Sequence, residues 1–199
     1  MNSILLFLIT TLSGSLNDAD TSKTKFGIFR VQPDGVTVVM DGEIRRRTLP
    51  DFEKMIAQYP DLKVIQMRKV PGSLDDEVAL DLSLKVHQLG IQTHILDHGE
   101  IASGGVDFFL AGVKRSKGIN TRIGVHAWDN NTGIGKRTSA TDYPVGHAEH
   151  QFYIDYYISI GMPPEEAAAF YYFTIHAAPA DGIHWMTEAE IIEYKVLTN

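Results

Sequence analysis

Ser103 has the neighbours that a nucleophile needs: Ala102 before it, Gly104 and Gly105 after it. Small neighbours let a substrate carbonyl approach the hydroxyl and let backbone N–H groups reach the oxygen that gains negative charge. A helix starting at this point would add the positive end of its dipole. A serine at a helix start also serves as an N-cap, so the local pattern alone leaves both readings open. A nearby base separates them. His126 ends the apolar segment TRIGVH, and a histidine beside a serine can take its proton and raise its nucleophilicity. Asp107, four residues after Ser103, shares its helix face. It reads as an acid complementing the dipole, as a polar partner within the site, or as a charge opposing an oxyanion.

Other polar groups read more plainly. His147 and His150 flank Glu149 at a helical spacing. With no third ligand beside them they read as surface histidines rather than a metal site. His94 and His98 fall on an expected strand and its turn, where a spacing of four places nothing together. Arg45, Arg46 and Arg47 read as a solvated helix-entry loop.

The elements that must position Ser103 and His126 follow from hydrophobic pattern and turn chemistry. FGIFRV and VTVVM flank Gln32-Pro33-Asp34-Gly35, which predicts a β-hairpin. Thr48 can cap a helix running to about Tyr59, with Asp51 and Glu53 in its first turn. LKVIQM reads as a buried parallel strand. The loop RKVPGSL follows it, then a helix over DDEVALDLSLKVHQLG with acids at its start and Gly90 at its stop. IQTHILD is the next strand, HGEIA a turn, SGGVDFFLAG a helix and TRIGVH a strand.

This alternation implies right-handed crossovers and a mostly parallel sheet. Sites in such sheets form outside the carboxyl ends of the strands. RKVPGSL, Ser103 and His126 all fall at such ends, and Gly72 could offer an N–H to an oxyanion there. Asn130 to Pro144 reads as a mobile loop. Two aromatic-rich helices follow, about His147 to Ile160 and Pro164 to His176, and read as packing on the sheet or in an oligomer interface. Thr187 caps a short last helix.

These segments resemble the Clp-protease proteolytic subunits of the Clp/crotonase superfamily. GEIASGGVDFFLAG resembles their nucleophile segment, RIGVH the strand ending in their catalytic histidine, and VPGSL their Ser-Pro-Gly-Gly loop. The resemblance implies an α/β fold with a mostly parallel sheet, crossover helices and a helical C-terminal part. It assigns Ser103 as nucleophile, His126 as base, and Gly72 and Gly104 as oxyanion donors.

The similarity is closer still to exported bacterial Clp-like proteins. Gly42-Glu43-Ile44 resembles the segment before their first helix, and Ala178 to Thr187 their tail before the last. It spans about residues 26–199. Three departures stand out. Ser73 replaces a second glycine and would cost about 1 kcal/mol if that backbone needs a positive φ. Ile101 and Gly105 occupy the neighbourhood where the exported group carries cysteine. The acid before the last helix maps to Ile183, leaving Asp181 as the nearest substitute.

The expected activity is therefore that of a serine hydrolase, cleaving a peptide or other acyl bond without metal or cofactor. A non-catalytic Clp-like domain that binds peptides or acts as a scaffold is the alternative. An acyl-CoA crotonase has no positive motif here. The resemblance implies a homo-oligomer. No phosphate-cradling Gly-Lys-Ser/Thr loop is present, so any ATPase would be a separate partner.

Composition agrees with this reading. The 199 residues carry 18 basic and 25 acidic side chains, net −7, which argues against nucleic-acid binding. There is no cysteine, so there is no disulfide framework and no thiolate chemistry. Residues 1–25 read as a signal peptide and polar tether. Ile4 to Leu12 has the length of a signal-peptide apolar run, with Ser13 and Ser15 small enough for cleavage, which predicts export and a mature chain beginning near Leu16.

Overall fold

Asp34 closes the first turn in the way the sequence predicts. Its Oδ1 accepts from the N–H groups of Val36 and Thr37 at 3.0 and 2.9 Å, and Gly35 adopts φ 71°. The computed structural model describes residues 23–130 and 138–198; the proposed signal segment lies outside them. The turn joins β2 (Phe29–Val31) to β3 (Thr37–Met40), and β1 (Lys25–Phe26) pairs antiparallel with β2.

From β3 to β7 the sheet is parallel. α1 (Thr48–Gln58) leads to β4 (Val64–Val70), and α2 (Asp76–Gln88) leads to β5 (Gln92–Ala102). α3 (Gly104–Leu110) follows β5 directly. β5 is long enough to take two parallel partners along one side. β6 (Arg115–Lys117) pairs with its first half and β7 (Arg122–Val125) with its last residues. β10 (His184–Trp185) returns antiparallel to β7 and completes the eight-stranded sheet. The result is the α/β class with the mostly parallel sheet expected from the alternating pattern.

Local chemistry sets the helix limits. The Asp75 side chain accepts from Val78 N–H and caps α2, with Asp76 and Glu77 in its first turn. Gly90, at φ 68°, ends the segment. Thr187 and Glu190 form a reciprocal capping box on the last helix, α6 (Glu188–Glu193). Between these lie α4 (Ala148–Ser159) and α5 (Pro164–Ala177), within two residues of their expected bounds. Side chains of the sheet and helices, including Ile65, Met67, Phe52, Phe108 and Phe109, are fully buried in one core.

Four local readings are corrected. Thr48 is not the cap of α1: it is the first helical residue, and its Oγ1 accepts from Arg45 N–H at 2.9 Å. Asp51 alone is the acid of that helix's first turn. The turn expected at HGEIA is a bulge inside β5. The register passes from Met67↔Ile95 to Lys69↔Glu100, and His98 takes φ 58° to absorb the extra residues. The loop flanks after Trp128 form a short hairpin, β8 (Asp129–Asn130) with β9 (Thr138–Ser139), followed by a 3-10 turn at Ala140–Asp142.

Candidate active site

Ser103 occupies the junction between β5 and α3, with φ 51° and ψ −131°. That region favours glycine, and holding another residue there costs on the order of 1–3 kcal/mol. The surroundings enforce it. Ser103 N–H donates to Gly124 O at 3.0 Å, and Val106 N–H donates to Ser103 O at 2.7 Å. The side chain makes no capping hydrogen bond to the helix. The simple N-cap reading is thereby corrected: this serine is held in a strained turn without serving as a cap.

The glycines around it are required by close packing. A Cβ on Gly105 would lie 2.5 Å from Val70 O, and one on Gly104 would lie 2.5 Å from Ser73 Oγ. Gly72, at φ 143°, lies against the nucleophile candidate: a Cβ there would be 3.1 Å from Ser103 Cβ. Among the described residues, neither Gly72 N–H nor Gly104 N–H makes a hydrogen bond. Two orphan donors thus flank Ser103. The loop is tied down instead through its other groups, since Ile44 N–H donates to Gly72 O and Leu74 N–H to Ile44 O.

Ser73 carries no backbone strain. It is absent from the positive-φ residues, so the penalty expected at this position does not arise. Its hydroxyl donates to Asp76 Oδ1 at 2.6 Å.

Ser103, Gly104 and His126 line one cavity of about 50 Å³. His126 Nδ1 lies 2.8 Å from Ala127 O. A carbonyl only accepts, so Nδ1 is the protonated nitrogen and Nε2 carries the lone pair. Asp181 is exposed within a turn closed by Gly182 N–H to Pro179 O, and it is not among the residues lining the cavity. β10 pairs His184 with Val125, which brings Ile183 alongside His126. His184 is committed elsewhere, with Nε2 2.9 Å from Glu190.

The rest of the cavity comes from Asp107, which the sequence offered as a polar partner within the site, and from aromatic residues with no assigned role there. Asp107 lies on the cavity wall and accepts from Tyr157 O–H through Oδ1 at 2.6 Å. Burial pushes its carboxyl up to about 7, the Tyr157 hydrogen bond opposes this, and the nearby Asp76 charge adds to it. Tyr153 stacks between Trp128 and Tyr171, with ring centroids at 5.9 and 5.6 Å. Its hydroxyl donates to Asp76 Oδ2 at 2.7 Å. Burial holds the Tyr153 phenol well above its ordinary value. A wider groove of about 470 Å³ adjoins the cavity and shares Asp76, Trp128 and Tyr153 with it.

His150 anchors this wall and is buried, which corrects its reading as a surface residue. Nε2 lies 3.3 Å from Tyr143 O and Nδ1 2.7 Å from Tyr171 Oη. The carbonyl must accept, so Nε2 donates, and Nδ1 accepts from the tyrosine. Trp128 Nε1–H donates to the same Tyr171 oxygen at 2.9 Å. With both ring nitrogens used, His150 has no electron pair for a metal. Among the described residues no cluster of metal-ligating side chains occurs. The sequence signal for this wall was the aromatic density of α4 and α5, which by itself did not distinguish core from site.

No family model matches the chain, and no curated protein matches it. Solved structures do. A membrane-bound stomatin-specific protease in complex with a substrate peptide aligns with TM-score 0.53 and 20% identity, over 81% of this chain and 72% of that chain. The ClpP protease catalytic domain from Plasmodium falciparum aligns with TM-score 0.51 and 14% identity, over 82% and 83%. ClpP1 from Listeria monocytogenes aligns with TM-score 0.51 and 18% identity, over 82% and 89%. These alignments agree on one architecture: the chain has the fold of the Clp-type protease domains.

Proposed function

We propose that the protein is a serine-type peptidase or related acyl hydrolase, with Ser103 as nucleophile and His126 as general base. The observation that carries this reading is the strained Ser103, free of any capping bond and sharing a cavity with a histidine whose Nδ1 is already committed to a carbonyl. Ser103 Oγ attacks the acyl carbon and passes its proton to His126 Nε2. That proton then goes to the departing amine or alcohol. Water, activated by the same nitrogen, releases the acyl group. Gly72 and Gly104 N–H groups receive the oxyanion. The Ala127 carbonyl fixes the imidazole tautomer, the task for which Asp181 was the nearest substitute once the family's acid mapped to Ile183.

The substrate is a peptide or other acyl compound, and the cycle requires no cofactor. We also propose, from the sequence, that the chain is exported and assembles as a homo-oligomer, with any ATPase supplied separately. Nucleic acid is not a partner in this reading.

A non-catalytic peptide-binding or scaffold role is the second reading. Asp107 favours it, because an acid lining the cavity opposes an oxyanion when ionised. Reaction with a fluorophosphonate separates the two: labelling at Ser103 that disappears in His126→Ala supports the peptidase, and inert wild type supports the scaffold.

A further inference from the structure

We infer that the cavity beside Ser103 accepts a small side chain bearing a hydrogen-bond donor, of serine or threonine size, and that Asp107 is the residue that reads it. The inference rests on Ser103 being the nucleophile, and concerns the residue whose carbonyl is attacked.

Volume sets the first limit. The cavity measures about 50 Å³. A cavity of ~150 Å³ admits benzene, so this one holds roughly a third of a six-membered ring. A leucine branch or a phenyl ring exceeds it unless the walls retreat.

The walls are held at both their faces and their polar ends. Tyr153 is stacked on two rings and bonded to Asp76. Trp128 and Tyr171 share a hydrogen bond, and Tyr171 continues to the buried His150. Tyr157 is bonded to Asp107. Displacing one of the stacked rings, Trp128, Tyr153 or Tyr171, breaks a stack and a hydrogen bond together.

Elimination identifies the group that meets the substrate. Both Asp76 oxygens are used, by Ser73 and Tyr153. Thr174 donates to Tyr171 O, and its oxygen is left as a neutral acceptor, weaker than a carboxylate. Val106, Val125 and Ile175 supply apolar wall, and no lysine or arginine lines the cavity. Asp107 Oδ1 accepts a hydrogen bond from Tyr157 O–H, and among the described residues Oδ2 accepts none. A cavity of two-atom capacity with one unused carboxylate oxygen matches a hydroxymethyl or hydroxyethyl group. An alanine fits the space but leaves Oδ2 unpaired. A site built to bond a hydroxyl rejects the analogue that lacks it.

The test uses the full chain and two kinds of probe. A plain alkyl fluorophosphonate reports whether Ser103 is nucleophilic at all. Peptidyl diphenyl phosphonates, identical except for the side chain next to phosphorus, report the cavity. With wild type, labelling at Ser103 should be about tenfold faster for serine or threonine than for alanine, and slower again for leucine, phenylalanine and lysine. In Asp107→Leu, which can neither accept from nor donate to a hydroxyl, the serine-to-alanine rate ratio should fall to near one. The ratio is taken within one variant, so a general loss of reactivity cancels. Ile175→Ala should widen the cavity and move the preference toward leucine. Labelling by the plain probe together with a wild-type preference for leucine, phenylalanine or lysine would overturn this inference alone. Failure of the plain probe would overturn the nucleophile assignment, and this inference with it.

Discussion

The Nδ1 of His126 sits 2.8 Å from the carbonyl oxygen of Ala127, the next residue in the chain. The bond fixes which imidazole nitrogen holds the proton without calling on a carboxylate. An acid in this role would also stabilise the imidazolium, which a neutral carbonyl does less well. The expected consequence is slower acyl transfer than a carboxylate-supported pair gives.

Asp181→Asn should therefore retain most wild-type reactivity, within about threefold, because this exposed residue does not line the cavity. Second-order labelling rates of the two proteins measure this. A loss of several orders of magnitude would return the orienting role to Asp181.

Tyr171→Phe should destabilise the protein by about 1–3 kcal/mol, since it strips partners from both His150 and Trp128. Urea denaturation of wild type and variant gives the difference. Equal midpoints and slopes would show that the aromatic wall does not depend on this hydroxyl.

Asp107 gives a pH dependence with a definite sign. Its carboxyl is pushed up to about 7 from an ordinary value of 3.8. Between those values the folded state holds a proton that the unfolded state has released, so stability falls as pH rises from about 4 to about 7. Asp107→Asn should flatten this slope, making the variant relatively more stable at pH 7.5 than at pH 5 when each is compared with wild type. Parallel stability–pH curves for the two proteins would remove Asp107 as the source.

Much of this arrangement was legible before the fold. The parallel sheet followed from alternating apolar strands and capped helices, and the convergence of Ser103, His126 and Gly72 followed from the strand ends. What was hidden depended on tertiary packing. The bulge at His98 needs the register of β4 against β5, which no local pattern encodes. Ser73 looked strained in sequence because a glycine was expected there, yet the positive φ belongs to Gly72 and Ser103. His150 looked like a surface histidine until Tyr143 and Tyr171 were found at its two nitrogens. Residues 131–137 of the loop expected to be mobile lie outside the described residues.

Gly72→Ala should lower reactivity at Ser103 by at least tenfold while the fold survives. The new Cβ would meet Ser103 Cβ at 3.1 Å, and φ 143° is unfavourable for alanine. Labelling rate and circular dichroism together check this; an unchanged rate would exclude Gly72 N–H as an oxyanion donor.

Mass-mapped fluorophosphonate labelling tests the central claim most directly. Wild type should gain one adduct, on Ser103, and both Ser103→Ala and His126→Ala should lose it while remaining folded. The Ser103→Ala change deletes one oxygen that makes no capping bond and leaves the backbone conformation as it is, so its stability should stay within about 1 kcal/mol of wild type. Folded wild type that takes up no adduct, or an adduct at Ser103 that persists undiminished in His126→Ala, would contradict the account.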